Sequence, residues 1–340
     1  MKTNSKTVAS KKRNRKTPLP VQRSTPKKAK QTARPVIWAV DSAQLDSSHV
    51  ERMKKLFQSW GYDNDLLPAT VFSPFDMGWI LPAELKAKKQ TLAEFGEKVQ
   101  SKWKSLGIHH DSSGVLLSDS NSRREKALKL LDFAKSQKAR MIIVESTDRT
   151  NSFTGMGSFT ETLISLSTLP ILLVGPHTKT FNPPQRLFYP TDLSRESKEV
   201  FTRLIELAKG YKAEVLLYHY FDLESGPLTY GVPWGYEVKW LDDYWETQEK
   251  AQHEEAHKWI KWAHSKGVKC EFISDRKLGG LKSRMNEAAQ EAGGDATVLT
   301  IKRGPWGQVV LGALIRDTIM QSAVPVLTFH TKDQRKKLHS

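Results

Sequence analysis

Residues 157–174 read GSFTETLISLSTLPILLV, and residues 312–329 read GALIRDTIMQSAVPVLTF. In each stretch a glycine opens an apolar helical pattern. Thirteen residues later a proline, Pro170 or Pro325, enters a run of Ile, Leu and Val. A helix feeding a wholly apolar strand is the closing unit of a parallel sheet that is covered on both faces.

Working outward, the same order of segments precedes each copy. In the first half Val36 to Val40 is a strand ending at Asp41. Val50, Met53, Leu56, Phe57 and Trp60 then mark a helix that Gly61 stops. Leu66 to Phe72 gives a strand, and Ala83 to Leu106 a long charged helix stopped by Gly107. Gly114 to Leu117, Asn121 to Gln137 and Met141 to Val144 follow as strand, helix and strand. Gly157 opens the fourth helix, and Ile171 to Val174 is the fifth strand.

The second half restarts with Leu187 to Thr191, ending at Asp192. Val200, Phe201, Leu204, Ile205 and Ala208 predict its first helix, and Val215 to Tyr218 its second strand. Asp242 to Lys266 is a long helix stopped by Gly267, followed by a strand at Val268 to Ile273 and a helix at Leu281 to Ala292. Thr297 to Ile301 is the fourth strand, Gly312 opens the last helix, and Pro325 to Phe329 closes the sheet. Element order, lengths and markers coincide, so the chain reads as an internal duplication. Two α/β domains are expected, at 35–176 and 187–330, each a doubly wound, open, parallel five-stranded sheet, with 177–186 as a linker carrying Pro183-Pro184.

Charge is unevenly placed. Of 53 Lys and Arg, twelve lie in residues 1–34, which hold no Asp or Glu, leaving 41 against 37 acidic residues elsewhere. The pI of 9.7 therefore describes a tail that is expected to be disordered. A second basic end, 331–340, carries Lys332, Arg335, Lys336 and Lys337. The lone Cys270 excludes an intramolecular disulfide and a Cys-rich zinc site. No run reaches the roughly eighteen apolar residues of a membrane span, and the N-terminus has no apolar signal core, so a cytoplasmic location is expected.

Taken together, the strand ending in Asp, the Gly-Ser or Gly-Ala helix start and the x-Pro-[IV]-L final strand, each present twice, resemble the universal stress protein family in its tandem two-domain form. The resemblance covers residues 35–330. It implies an adenine-nucleotide-hydrolase-like fold, with the two domains pairing through their final strands. In the nucleotide-binding branch ATP sits at the carboxyl ends of strands one and four, which is the general crevice of an open α/β sheet. Asp41 and Asp192 carry over as residues near the adenosine, and Gly157, Ser158 and Gly312 as the phosphate-side helix starts. ATP binders carry G-x-x-G, nine residues, then G-[ST]. Here the early glycines correspond to Glu145 and Asp148, and to Thr300 and Arg303, with eight residues before Gly157 or Gly312. Two carboxylates facing a triphosphate would repel it by ~4 kcal/mol per close pair. Arg303 with Gly304 offers an anion contact in the second half instead.

The function expected is a non-enzymatic, stress-response protein that binds a small ligand or partner at the sheet-end crevices with an eroded ATP motif. An ATP- or AMP-binding protein is the first alternative. His253-Glu254-Glu255-Ala256-His257 matches H-E-x-x-H, with both histidines on one helix face, and so raises a metal-dependent hydrolase; its charged surroundings favour a solvated helix face. Tyr230, Trp234, Tyr236 and Trp240 cover a core edge, a dimer seam or an apolar pocket. Residues 1–34 suit nonspecific contact with nucleic acid or another polyanion, and lack aromatic side chains for base stacking. The two domains are expected to pair within the chain, and a homodimer is an open alternative.

Overall fold

The computed structural model describes residues 34–41, 46–73, 88–107, 114–118, 120–146, 158–221, 239–276, 280–302 and 312–331. The basic N-terminal tail, Asp148, Gly157, Tyr230, Trp234, Tyr236, Arg303, Gly304 and the last nine residues lie outside these.

In the first half the elements are β1 (Val36–Ala39), α1 (Ser47–Trp60), β2 (Leu66–Phe72), α2 (Lys88–Ser105), β3 (Gly114–Leu117), α3 (Arg123–Ser136), β4 (Met141–Glu145), α4 (Ser158–Leu166) and β5 (Ile171–Val174). The second half repeats them as β6 (Arg186–Pro190), α5 (Arg195–Tyr211), β7 (Glu214–Tyr220), α6 (Lys239–Ser265), β8 (Cys270–Asp275), α7 (Gly280–Glu291), β9 (Ala296–Ile301), α8 (Ala313–Gln321) and β10 (Val326–His330). The sheet order is β3-β2-β1-β4-β5-β10-β9-β6-β7-β8. In each half the first strand lies between the second and the fourth, so the winding reverses between β1 and β4 and again between β6 and β9. Pairing is parallel throughout except at the junction, where β5 and β10 run antiparallel with Leu172 opposite Leu327. The two five-stranded sheets expected from the sequence are thus one continuous ten-stranded sheet, joined through the final strands.

Side-chain alternation along the strands explains the layers. Trp38, Met141, Ile143, Leu172, Leu187 and Val215 face α1, α2, α5 and α6. Their neighbours Ile37, Ile142, Leu173, Phe188 and Leu216 face α3, α4, α7 and α8. Strands buried on both faces must be apolar at consecutive positions, which is why these segments read as unbroken hydrophobic runs.

Helix stops show the duplication in backbone geometry. Gly61 caps α1 with φ 70°, and Lys212 takes the equivalent place after α5 with φ 56°. After α3 and α7 the matching pair is Lys138 at φ 54° and Gly293 at φ 64°. Both lysines hold a conformation that favours glycine. Gly175, just past β5, is needed for another reason: a Cβ there would collide with the carbonyl oxygen of Ile319 in the other half. The halves also meet where Tyr211 hydrogen-bonds the Tyr62 hydroxyl and packs edge-on against Trp60, 5.7 Å between ring centres.

Several limits move by a few residues. α6 begins at Lys239, three residues before the expected Asp242, and β7 runs on to Tyr220. Described structure in α2 starts at Lys88, and the expected start at Ala83 lies outside the described residues.

Candidate functional site

Reversal of the winding leaves a crevice beyond the carboxyl ends of β6 and β9, with its counterpart beyond β1 and β4. At the second-half crevice Asp192 follows β6. Its Oδ1 accepts from the Ser197 hydroxyl at 2.6 Å and the Ser194 amide at 3.1 Å, while Oδ2 lies 2.5 Å from Nζ of Lys302, which follows β9. Half-burial works to raise the Asp192 pKa, but the hydrogen bonds from Lys302, Ser197 and Ser194 outweigh it and hold the carboxyl well below the usual range. The carboxylate therefore stays ionised and ties the ends of β6 and β9 together. The connecting turn is tightly specified. Leu193 adopts φ 55°, an unusual conformation for a branched side chain, with its amide donating to Thr191 Oγ1. His219 Nδ1 lies 2.8 Å from the Thr191 carbonyl. Beneath, the Tyr189 hydroxyl donates to the Ser197 carbonyl and lies 2.8 Å from Thr300 Oγ1; burial pushes its pKa up to about 12.

The first half fills the corresponding ground differently. Asp41 follows β1 and is exposed. Arg52 of α1 donates to Glu145 Oε1 at 2.5 Å, to the Gly175 carbonyl at 2.6 Å and to the Thr178 carbonyl at 3.1 Å. Glu145 is only 12% exposed, and burial raises its pKa against the pull of Arg52. This corrects the expectation of a bare carboxylate facing a triphosphate: Glu145 turns onto α1 and is neutralised there. Asp148 lies outside the described residues. Arg203 stands eleven positions past Asp192, as Arg52 does past Asp41, and it donates to the carbonyl of His330, the counterpart of Gly175, at 2.8 Å. Thr300 occupies the Glu145 position. Arg203 thus has no carboxylate partner among the described residues; it lies 5.0 Å from the Phe329 ring centre, and burial pulls its pKa down.

The sequence pattern of the universal stress protein family matches residues 184–330. In fold, the structure resembles a universal stress protein from Archaeoglobus fulgidus DSM 4304 over 88% of this chain and 97% of that one, with a TM-score of 0.55 at 13% identity. The second half of the chain, residues 184–330, is thus a universal stress protein domain. A functionally unknown protein from Pseudomonas aeruginosa PAO1 aligns over 88% of this chain and 93% of its own, with a TM-score of 0.47 and 12% identity. A comparison with curated proteins finds no match.

The remaining predicted residues separate. Ser158 begins α4, its carbonyl accepting from Thr162 Oγ1 at 2.7 Å. Gly312 caps α8 with φ −63°, and a Cβ there would meet nothing within 4 Å. Among the described residues, neither backbone nor packing demands a glycine at this helix start. Trp240 lies in the first turn of α6. His253 and His257 sit further along α6, where His253 packs edge-on against Phe272 and its Nε2 lies 3.7 Å from Glu249. His264, on the same helix, accepts from the Cys270 amide at 3.4 Å and so meets the start of β8. Among the described residues no group of three or more His, Cys, Asp and Glu side chains is placed to hold a metal ion. No helix among them is long and apolar enough to cross a membrane.

Three features escaped sequence reasoning. Arg52 and Lys302 lie 93 and 110 positions from the carboxylates they meet, and only the strand order brings them together. The third is a buried cluster at the end of β8. Asp275 accepts from the Tyr218 hydroxyl at 2.9 Å and from Arg284 Nη2 at 2.8 Å, with Arg284 also against Glu287. It fixes α7 on the edge of the sheet.

Proposed function

We propose that this chain is a binding protein rather than a catalyst, and that its ligand, a small anion of the nucleotide class, enters the second-half crevice between β6 and β9. The observation that carries this reading is the difference between the paired arginines. Arg52 is closed off by Glu145 and two carbonyls, whereas Arg203 has a carbonyl and a ring but no anion among the described residues. A half-buried guanidinium without a counterion favours an incoming phosphate or carboxylate. Gly312 adds to this, because its missing side chain leaves room that the fold itself does not use. Arg303 and Gly304 are the further contacts proposed on that side, with Asp192 and Lys302 at the mouth. Domain limits of 35–176 and 187–330 and a cytoplasmic location belong to the same proposal.

Isothermal titration with ATP, AMP and cyclic AMP tests it. Binding of at least one, lost in Arg203→Ala and kept in Glu145→Gln, supports the reading; no heat with any of the three removes adenine nucleotides as the ligand.

A second reading rests on the twelve cationic side chains of residues 1–34. Nonspecific polyanion binding through them would weaken with salt by ~0.9 log units per phosphate contact. A chain lacking residues 1–34 should then no longer retard DNA at low salt; unchanged retardation places the contact elsewhere.

A further inference from the structure

At the amino-terminal end of the first half, α3, α4 and Arg34 enclose a groove of about 500 Å³. Its floor is apolar, formed by Leu128, Leu131, Leu166 and Leu169, and its rim carries Arg34, Lys135 and Lys138 against one carboxylate, Asp132. Leu128 is 40% exposed, one of two large hydrophobic side chains left so open among the described residues.

The duplication supplies an internal control. α3 and α7 finish alike, with Ala139 N donating to Ala134 O at 2.8 Å and Gly294 N to Ala289 O at 2.9 Å. Counting back from that shared stop, Leu128 and Leu131 correspond to Ser283 and Asn286. On the fourth helix Leu166 corresponds to Gln321, and at the rim Lys135 and Lys138 correspond to Gln290 and Gly293. Leu169 keeps an apolar counterpart, Val324, and Asp132 an acidic one, Glu287, but the other three leucines and both lysines are replaced by polar residues or glycine. Folding does not require the leucines, so another role must account for them.

We propose that this groove docks an acidic helical segment of a partner protein. Two or three aliphatic side chains at helical spacing would seat between α3 and α4, with flanking carboxylates on Arg34, Lys135 and Lys138. The chain's own first 33 residues do not fit that role, because they hold eleven Lys and Arg and no carboxylate. A nucleic acid fits less well, because a leucine floor offers no surface on which bases stack.

The probe is a fluorescein-labelled synthetic peptide with leucines at every third or fourth position and glutamates between, alongside a scrambled peptide of the same composition. Fluorescence anisotropy with the full chain should show the patterned peptide binding more tightly than the scrambled one. Leu128→Glu should weaken it about tenfold or more, and Lys135→Glu should weaken it and reduce its salt dependence. Leu281→Glu, at the other exposed leucine, should leave binding unchanged. Equal affinity for the two peptides, or full binding by Leu128→Glu, assigns the contact to the basic tail and overturns the proposal. No binding of either peptide also overturns it, and circular dichroism confirms that each variant is folded.

Discussion

Replacing Arg52 by alanine separates the two halves most sharply. The change leaves Glu145, 12% exposed, without its cation, and the Gly175 and Thr178 carbonyls without their donor. Removing one member of a buried ion pair costs about 3–5 kcal/mol. Arg52 is 27% exposed and water will partly replace it, so a loss of roughly 2–4 kcal/mol is expected. Arg203→Ala, at the repeated position, removes one bond to the His330 carbonyl and a ring contact, worth about 1–2 kcal/mol. Urea unfolding of the two variants side by side should therefore show the larger loss in Arg52→Ala. The pH dependence has a definite sign. Burial raises the Glu145 pKa in the folded chain, and losing Arg52 raises it further. An acid whose folded pKa lies above its unfolded value destabilises the fold as pH rises through the unfolded value, about 4.3. The Arg52→Ala penalty should thus be smaller at pH 4 than at pH 7, and adding Glu145→Gln should recover part of it at pH 7. Equal losses in the two arginine variants, or a penalty indifferent to pH, would refute the reasoning.

Other outcomes follow from single residues. Lys212→Gly should stabilise the chain by about 0.5–1 kcal/mol, read from the urea midpoint, because glycine relieves the left-handed backbone at φ 56°. The reverse change at its counterpart, Gly61→Ala, should cost about 1 kcal/mol, since space is open there and only the backbone objects. Asp192 has a folded pKa below its unfolded value, so its contribution is present above about pH 4 and is lost as pH falls. Asp192→Asn should flatten the stability profile below about pH 4. Cys270 is buried, which pushes its thiol pKa up to about 12, with Glu271 adding to the shift. A disulfide exchange reagent at pH 8 should react with it only after denaturant is added.

Much of the fold was legible because it rests on local rules repeated twice. Consecutive apolar residues marked the buried strands, and Gly61, Gly107 and Gly267 marked helix stops that all prove to have positive φ. Lys138 and Lys212 do the same work without the glycine signal, so only comparison of the halves reveals them. The candidate site was less legible. Asp41 and Asp192 were found from their place at strand ends, but the partners that decide their surroundings come from distant elements. Lys302 reaches Asp192 because β9 lies beside β6, and Arg52 reaches Glu145 because α1 crosses over β4. Sequence spacing carries no trace of either pairing. The exposure of Leu128 on α3 emerged only once the helices were packed.

The most direct test of inequivalent halves is hydrogen exchange, read by mass spectrometry, with and without ATP at saturating concentration. Protection confined to peptides spanning Thr191 to Arg203 and the segment after Ile301 is the expected result. Protection of the segments around Asp41 and Glu145 instead, or in equal measure, would contradict the assignment of the binding crevice to the second half.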